Sequence, residues 1–204
     1  MSRRFYQENE FQQLAPLKDN WERIRDEARE MNAPLTGIHR VGKTHQQVFT
    51  ELADHVESGG KYGWLDGWGP QGVNKDWVQL MLMTEDRPVS FLNGRMGATA
   101  SLLSEIAGVK VAALVRLKAH TFLPIHRHAE LAQERILQMH LTLEASPEHN
   151  YAYLNVEGDF RQHVPGELLI FDGSLVHFAL NASPADRTIL YVEFHRDGRP
   201  FPAG

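Results

Sequence analysis

Two hydrophobic periodicities divide the chain. In its first half, Phe11, Leu14, Leu17, Trp21, Ile24 and Ala28 recur at steps of three or four residues with Arg, Glu and Asp between them. That spacing predicts an amphipathic helix lying against a sheet, with Asp19 or Asn20 as its start signal. Two more helices are predicted at 46–55, ended by Ser58, Gly59 and Gly60, and at 98–106, ended by Gly108. Between them, residues 60–74 are rich in Gly and Trp and read as a loop, while 77–83 reads as a strand.

From Val109 the pattern shortens to strand-like runs at 109–117, 136–143, 151–156, 167–171, 175–180 and 188–194. The separators carry Pro124, Pro147, Gly158 with Asp159, Pro165 with Gly166, and Pro184 with Asp186. Short, regularly spaced strands with such turn punctuation predict a mainly β fold, a jelly-roll barrel preceded by helices. No repeat or linker interrupts the chain, so 1–204 is expected to be one domain, with a helical part at 1–108 and a jelly-roll core at 109–196.

Composition narrows the chemistry. A net charge of −5 without a basic stripe argues against nucleic-acid or anionic-membrane partners. The longest apolar run, 111–115, is too short to span a bilayer, and residues 1–12 hold no signal-peptide core, so a cytoplasmic protein is expected. There is no cysteine, so a metal would be held by His, Asp or Glu.

Eight of the 11 histidines lie between His120 and His195, in the strand-rich half. In the run from Ile136 to Leu143, alternation puts Gln138, His140 and Thr142 on one face and Leu137, Met139, Leu141 and Leu143 on the other. The polar face is expected to look into a cavity. His177 lies on a later strand, after the turn residues Asp172, Gly173 and Ser174. Two histidines on separate strands plus one further donor form the facial arrangement that suits Fe(II). The residue two after His140, where an acid would complete that set, is Thr142, and Glu144 is about 13 Å along the strand from His140.

Arg187 follows His177 by ten residues. With 182–186 as a hairpin loop, Asn181 would face Arg187 and His177 would face Tyr191, placing His177 and Arg187 on one side about 13 Å apart. A five-carbon dicarboxylate on the metal at one end and on the guanidinium at the other fits that span.

Together, Leu123-Pro124-Ile125-His126, Met139-His140-Leu141-Thr142-Leu143, the block from Gly166 through Phe171-Asp172-Gly173-Ser174, and His177 to Asn181 with Arg187 resemble the aspartyl/asparaginyl beta-hydroxylase family. These are Fe(II)- and 2-oxoglutarate-dependent dioxygenases on a cupin-like double-stranded beta-helix. The resemblance implies His140 and His177 as iron ligands, Arg187 on the distal carboxylate of 2-oxoglutarate, and solvent in place of the acid at Thr142. It also implies hydroxylation of an amino-acid or peptide side-chain carbon by molecular oxygen, with release of succinate and CO2. His126 is expected near the co-substrate, and His128, Gln138 and Thr142 in the substrate pocket. Gln138 stands where family members often carry arginine. Trp64, Trp68 and Trp77 are candidates for pocket walls, with core packing the stronger reading.

Three other readings compete. A cupin of another kind would use His126, His128 and His177 with Glu130 or Glu134 and Asn181, and would give Arg187 no task. The run Gly37-Ile38-His39-Arg40-Val41-Gly42-Lys43-Thr44 matches a phosphate-binding loop and precedes a helix, but no buried strand leads into it. A barrel that binds without catalysis would need no metal.

Overall fold

The structure is a computed structural model describing residues 3–69, 71–92 and 94–202. Its strands are β1 (Phe5–Tyr6), β2 (Leu35–His39), β3 (Trp64–Gly69), β4 (Gly72–Thr84), β5 (Arg87–Pro88), β6 (Val109–Leu117), β7 (Thr121–His126), β8 (Ile136–Glu144), β9 (Ala152–Val156), β10 (Asp159–Gln162), β11 (Leu168–Phe171), β12 (His177–Asn181) and β13 (Arg187–His195). The α-helices are α1 (Ala15–Asp19), α2 (Trp21–Glu30), α3 (His45–Glu57), α4 (Gly97–Ser104) and α5 (Ala129–Glu134).

A large sheet runs in the order β1-β11-β8-β13-β6-β4-β3-β2, with β5 on β4, and a small sheet runs β10-β9-β12-β7. The fold is mainly β with N-terminal helices, as expected of a jelly roll, and its two sheets are left unclosed rather than joined into the expected barrel. Alternation assigns the two faces of the large sheet. Leu137, Met139, Leu141 and Leu143 of β8 and Leu190, Val192 and Phe194 of β13 enter the main core with Leu14, Leu17, Ile24 and Ala28 from the N-terminal helices. The opposite face carries Gln138 and His140 of β8 and Arg187, Ile189, Tyr191 and Glu193 of β13, which line a cavity. Leu154, His177 and Ala179 of the small sheet line the same cavity.

The helix predicted over 11–28 buries its apolar positions as expected but is divided. Turns of 3-10 helix at Glu8–Glu10 and Gln12–Leu14 lead into α1, and the chain resets at Asn20 before α2. Pro16 opens α1, a position where its missing N–H costs nothing. The loop read at 60–74 is instead β3 and the start of β4. Gly67 is what the sequence pattern concealed: a Cβ there would lie 2.3 Å from the Trp77 ring, so the glycine lets β3 and β4 pair beneath that indole. β7 escaped prediction because Pro124 interrupts it, which an edge strand of the small sheet tolerates.

The largest correction concerns β12 and β13. The loop 182–186 is where the sequence placed it, but the strands on either side do not form a hairpin: β12 pairs with β7 and β9, and β13 with β6 and β8. The chain crosses from one sheet to the other. His177 therefore pairs with Val156 and His126, and Tyr191 pairs with His140. His177 and Arg187 still share the cavity, because each strand turns the relevant face inward.

Asn181 holds the crossover. Its Nδ2 donates to the carbonyls of Leu117, Lys118 and Ala185 at 3.2, 3.0 and 2.9 Å, and its Oδ1 accepts from Ser183 N–H at 3.2 Å. These bonds occupy Asn181 fully and remove it from the alternative metal set. The phosphate-loop reading fares no better. Gly37 lies within β2, Thr44 caps α3, and Lys43 Nζ is bonded to Glu51 at 2.7 Å.

Replacing Asn181 by Ala leaves buried carbonyls without donors and should cost about 2–4 kcal/mol. A urea titration reads this as a lower midpoint at unchanged slope; an unmoved midpoint refutes the role of Asn181 at the crossover.

Candidate active site

The cavity between the sheets collects the histidines in an order their strands dictate. His126 ends β7 and His177 begins β12 as a direct cross-strand pair, and their ring centroids are 4.2 Å apart. His128 follows at the start of α5, where its N–H donates to Gly173 O at 3.0 Å. One ring nitrogen from each of His126, His128 and His177 lies within 4.8 Å of the others.

Tautomers are fixed for two of the three. His126 Nδ1 is 2.7 Å from Pro124 O and His177 Nδ1 is 2.8 Å from Leu175 O, so each donates its Nδ1 proton and keeps a lone pair on Nε2. Backbone-anchored imidazoles of this kind are the usual outer support of metal ligands. Burial pushes His177 down to about 3 and His126 to about 4, so both are neutral and ready to coordinate near neutral pH. The donor set and its protonation fit a divalent transition metal.

His140, expected on the metal with His177, is outside that group. Its Nδ1 is 3.1 Å from His163 Nε2 and the two rings stack at 18°. Burial, then the nearby Arg187, His177 and His126, hold His140 well below the ordinary histidine range. His163 is fully buried and was missed in the sequence, since nothing in the run before Pro165 distinguishes it from a surface histidine.

Arg187 is 2% exposed, and neither Nε nor Nη1 has a hydrogen-bond partner. Burial pushes it down to about 9, which still leaves the guanidinium charged at neutral pH. At the other end of β13 stands a polar cluster. Tyr191 donates to Glu193 Oε1 at 2.5 Å, and Gln138 Nε2 donates to Tyr191 Oη at 2.6 Å and to Glu193 Oε1 at 3.3 Å. Gly173 makes room for Gln138, whose Oε1 would lie 2.3 Å from a Cβ at that position. Arg40 also lines the cavity, and its Nη1 donates to Gln79 Oε1 at 3.0 Å.

The remaining expected residues separate. Trp68 and Trp77 line the cavity, Trp68 with its ring edge-on to His126 at 4.8 Å. Trp64 packs in the main core instead. Thr142 is fully buried, has no partner for Oγ1 among the described residues and does not line the cavity. Glu134 is paired with Lys110 at 2.6 Å, and Glu130 lies 3.5 Å from His128 Nδ1.

The neutral histidines make metal-free stability pH-dependent. His126 and His177 titrate below their ordinary 6.5, so the unfolded chain binds protons that the folded protein refuses. Stability is therefore full above about pH 6.5 and falls as pH drops toward 4, by up to about 1.4 kcal/mol per unit for each buried histidine. Urea midpoints of the metal-free protein should decline from about pH 7.5 to about pH 5; a flat profile would mean that the rings are solvated.

Among described residues no helix is long and apolar enough to cross a membrane. No protein of curated function matches the chain. Solved structures resemble parts of it. One is a predicted oxalate decarboxylase from Thermotoga maritima, at 13% identity over 58% of this chain and 80% of that one, with a TM-score of 0.39. Another is KdgF from a Halomonas species, at 16% identity over 66% and 89%, with a TM-score of 0.39. A third is a cupin domain of a transcriptional regulator from Enterobacter cloacae, at 11% identity over 59% and 97%, with a TM-score of 0.40. The aspartyl/asparaginyl beta-hydroxylase family model matches residues 18–197, nearly the whole chain, and the protein belongs to that family.

Proposed function

We propose that the protein is an Fe(II)- and 2-oxoglutarate-dependent dioxygenase that hydroxylates an unactivated carbon of an amino-acid-like substrate, releasing succinate and CO2. The observation that carries this is Arg187, a buried guanidinium with two nitrogens lacking protein partners, facing the cavity that also holds the histidine trio. A buried cation without a counter-charge is costly, and a carboxylate entering the cavity removes that cost while gaining two-pronged hydrogen bonds. A dicarboxylate co-substrate supplies that carboxylate and a second acidic end to turn toward the metal.

In this reading His126 and His177 hold the iron through Nε2, and His128 is the third donor of the set. This revises the pair His140 and His177. His140, oriented by His163, serves the space between metal and Arg187, and Thr142 has no part in the pocket. Bound iron supplies the activation of dioxygen. The protein's own share is to orient the co-substrate from Arg187 and His140, and to exclude water with Trp68 and Trp77.

A cupin enzyme without a co-substrate would use the same trio but leave Arg187 unexplained. Oxygen uptake that proceeds without 2-oxoglutarate would favour it.

Anaerobic addition of Fe(II) and 2-oxoglutarate should give the weak charge-transfer absorption of a chelated complex, lost in His126→Ala and in His177→Ala. No band in the wild type, or one that survives His177→Ala, sinks the assignment. Loss of iron in His140→Ala with retention in His126→Ala would favour His140 and His177 as the ligands, as the family resemblance implies. Arg187→Met should still bind Fe(II) while weakening 2-oxoglutarate about 100-fold, corresponding to ~3 kcal/mol for a buried charge-assisted pair. Calorimetric titration of the Fe(II)-loaded protein reads that difference, and equal affinity would remove Arg187 from the co-substrate site.

A further inference from the structure

The small sheet is apolar on both of its faces. Leu123, Leu154 and Ala179 point inward and line the cavity with His177. Register sends the alternate residues outward, so that Phe160, Asn155 and Phe178 stand side by side across β10, β9 and β12, and Tyr153, Leu180 and Phe122 across β9, β12 and β7. An antiparallel strand with one face in water alternates apolar with polar residues. Strands β7, β9 and β12 do not, and they carry no Asp, Glu, Lys or Arg. The two charged residues of β10, Asp159 and Arg161, are bonded to each other at 3.2 Å and alternate with Phe160, which takes them off the outer face. Such strands have the composition of strands covered on both sides. The large sheet has that cover in the N-terminal helices. The outer face of the small sheet is open: Phe122, Ile125, Tyr151, Phe160 and Val176 are between 40% and 67% exposed.

Size and charge say what covers it. Those five side chains, with the half-buried Tyr153, Phe178 and Leu180 between them, present roughly 600 Å² of apolar surface. A standard interface takes about 800 Å² from each partner, with aromatic residues and few charges at its centre, so the patch supplies most of one half. The chain has a net charge of −5, and two copies repel wherever their acidic surfaces face each other. In a twofold interface any charge near the axis also meets its own copy. This face holds no such charge. A sheet of the same twist is the surface that fits it, because sheets stack face to face with their strands within about 30° of each other. A basic or acidic partner would find nothing there to pair with.

We infer that the protein forms a twofold dimer in which the outer faces of the small sheets of two copies stack on each other and close Phe122, Ile125, Phe160 and Phe178 from water. The interface shares its strands with the candidate active site. Phe178 alternates with His177 on β12, and Ile125 with His126 on β7. The dimer contact therefore lies on the opposite face of those two strands from the histidine pair. Phe160 is on β10, two strands away from β12, and a substitution there leaves the cavity untouched.

Sedimentation equilibrium of the chain between about 1 and 100 µM should show a monomer and a dimer in exchange or a dimer throughout. Phe160→Glu and Phe122→Glu each place a charge on the stacked face and should weaken self-association at least tenfold, with Fe(II) binding and the circular dichroism spectrum unchanged. Hydroxyl-radical footprinting of the wild type needs no substitution and decides the matter if a variant fails to fold. In the dimer Phe122, Tyr151 and Phe160 should be oxidised less than at dilution, while Leu35, exposed on the edge strand β2 of the large sheet, reacts equally in both. A wild type that is monomeric throughout overturns the inference, as does a dimer that survives both substitutions or leaves those rings as reactive as in the monomer. A monomer that sediments with phosphatidylcholine vesicles overturns it too, and makes the face a membrane surface.

Discussion

Everything in the site depends on β8 and β13 being buried on both faces. One face of each strand is apolar and seals the core beneath the N-terminal helices, and the other is polar and faces the small sheet. A half-exposed sheet would give Gln138, His140, Arg187, Tyr191 and Glu193 to water, where their charges would be screened. Covered on both sides, the same residues stand in a medium of low dielectric, and each polar atom must find a partner or wait for one.

That pressure sorts the polar groups by what the protein supplies. Backbone carbonyls satisfy one nitrogen of His126 and of His177, His163 satisfies His140, and Glu193 gathers Tyr191 and Gln138. Arg187 alone among the cavity's charged groups keeps two nitrogens without partners in the described structure. Its charge is maintained by the scaffold rather than neutralised by it, which is the behaviour expected of a group shaped for an anionic ligand.

The two-sheet crossing brings His177 and Arg187 to one cavity without a hairpin. A hairpin across 182–186 would have put His177 and Arg187 side by side on one sheet. The chain instead passes from the small sheet to the large one, and the two residues meet because each strand's inward face points at the other sheet. The crossover needs an anchor that a hairpin would not, and Asn181 provides it with four hydrogen bonds.

Much of the fold was legible in the amino-acid sequence because it is local. Strand β6 fell on its predicted bounds, and β8 and β13 fell within a residue of them, since alternation and turn residues act over a few positions. The polar face of β8, the apolar face of the N-terminal helices and the shared side of His177 and Arg187 followed from the same order. Which strands pair, and so which histidines meet, was decided only by tertiary structure. His126 reaches His177 across an antiparallel pair separated by some fifty residues, while His140 meets His163 from the segment just after β10. Arg40 illustrates the limit most plainly: in sequence it belongs to a motif for phosphates, and only packing against Gln79 turns it into the cavity. Periodicity fixes the direction of a side chain relative to its own strand; the partner it finds there depends on long-range pairing that no local pattern encodes.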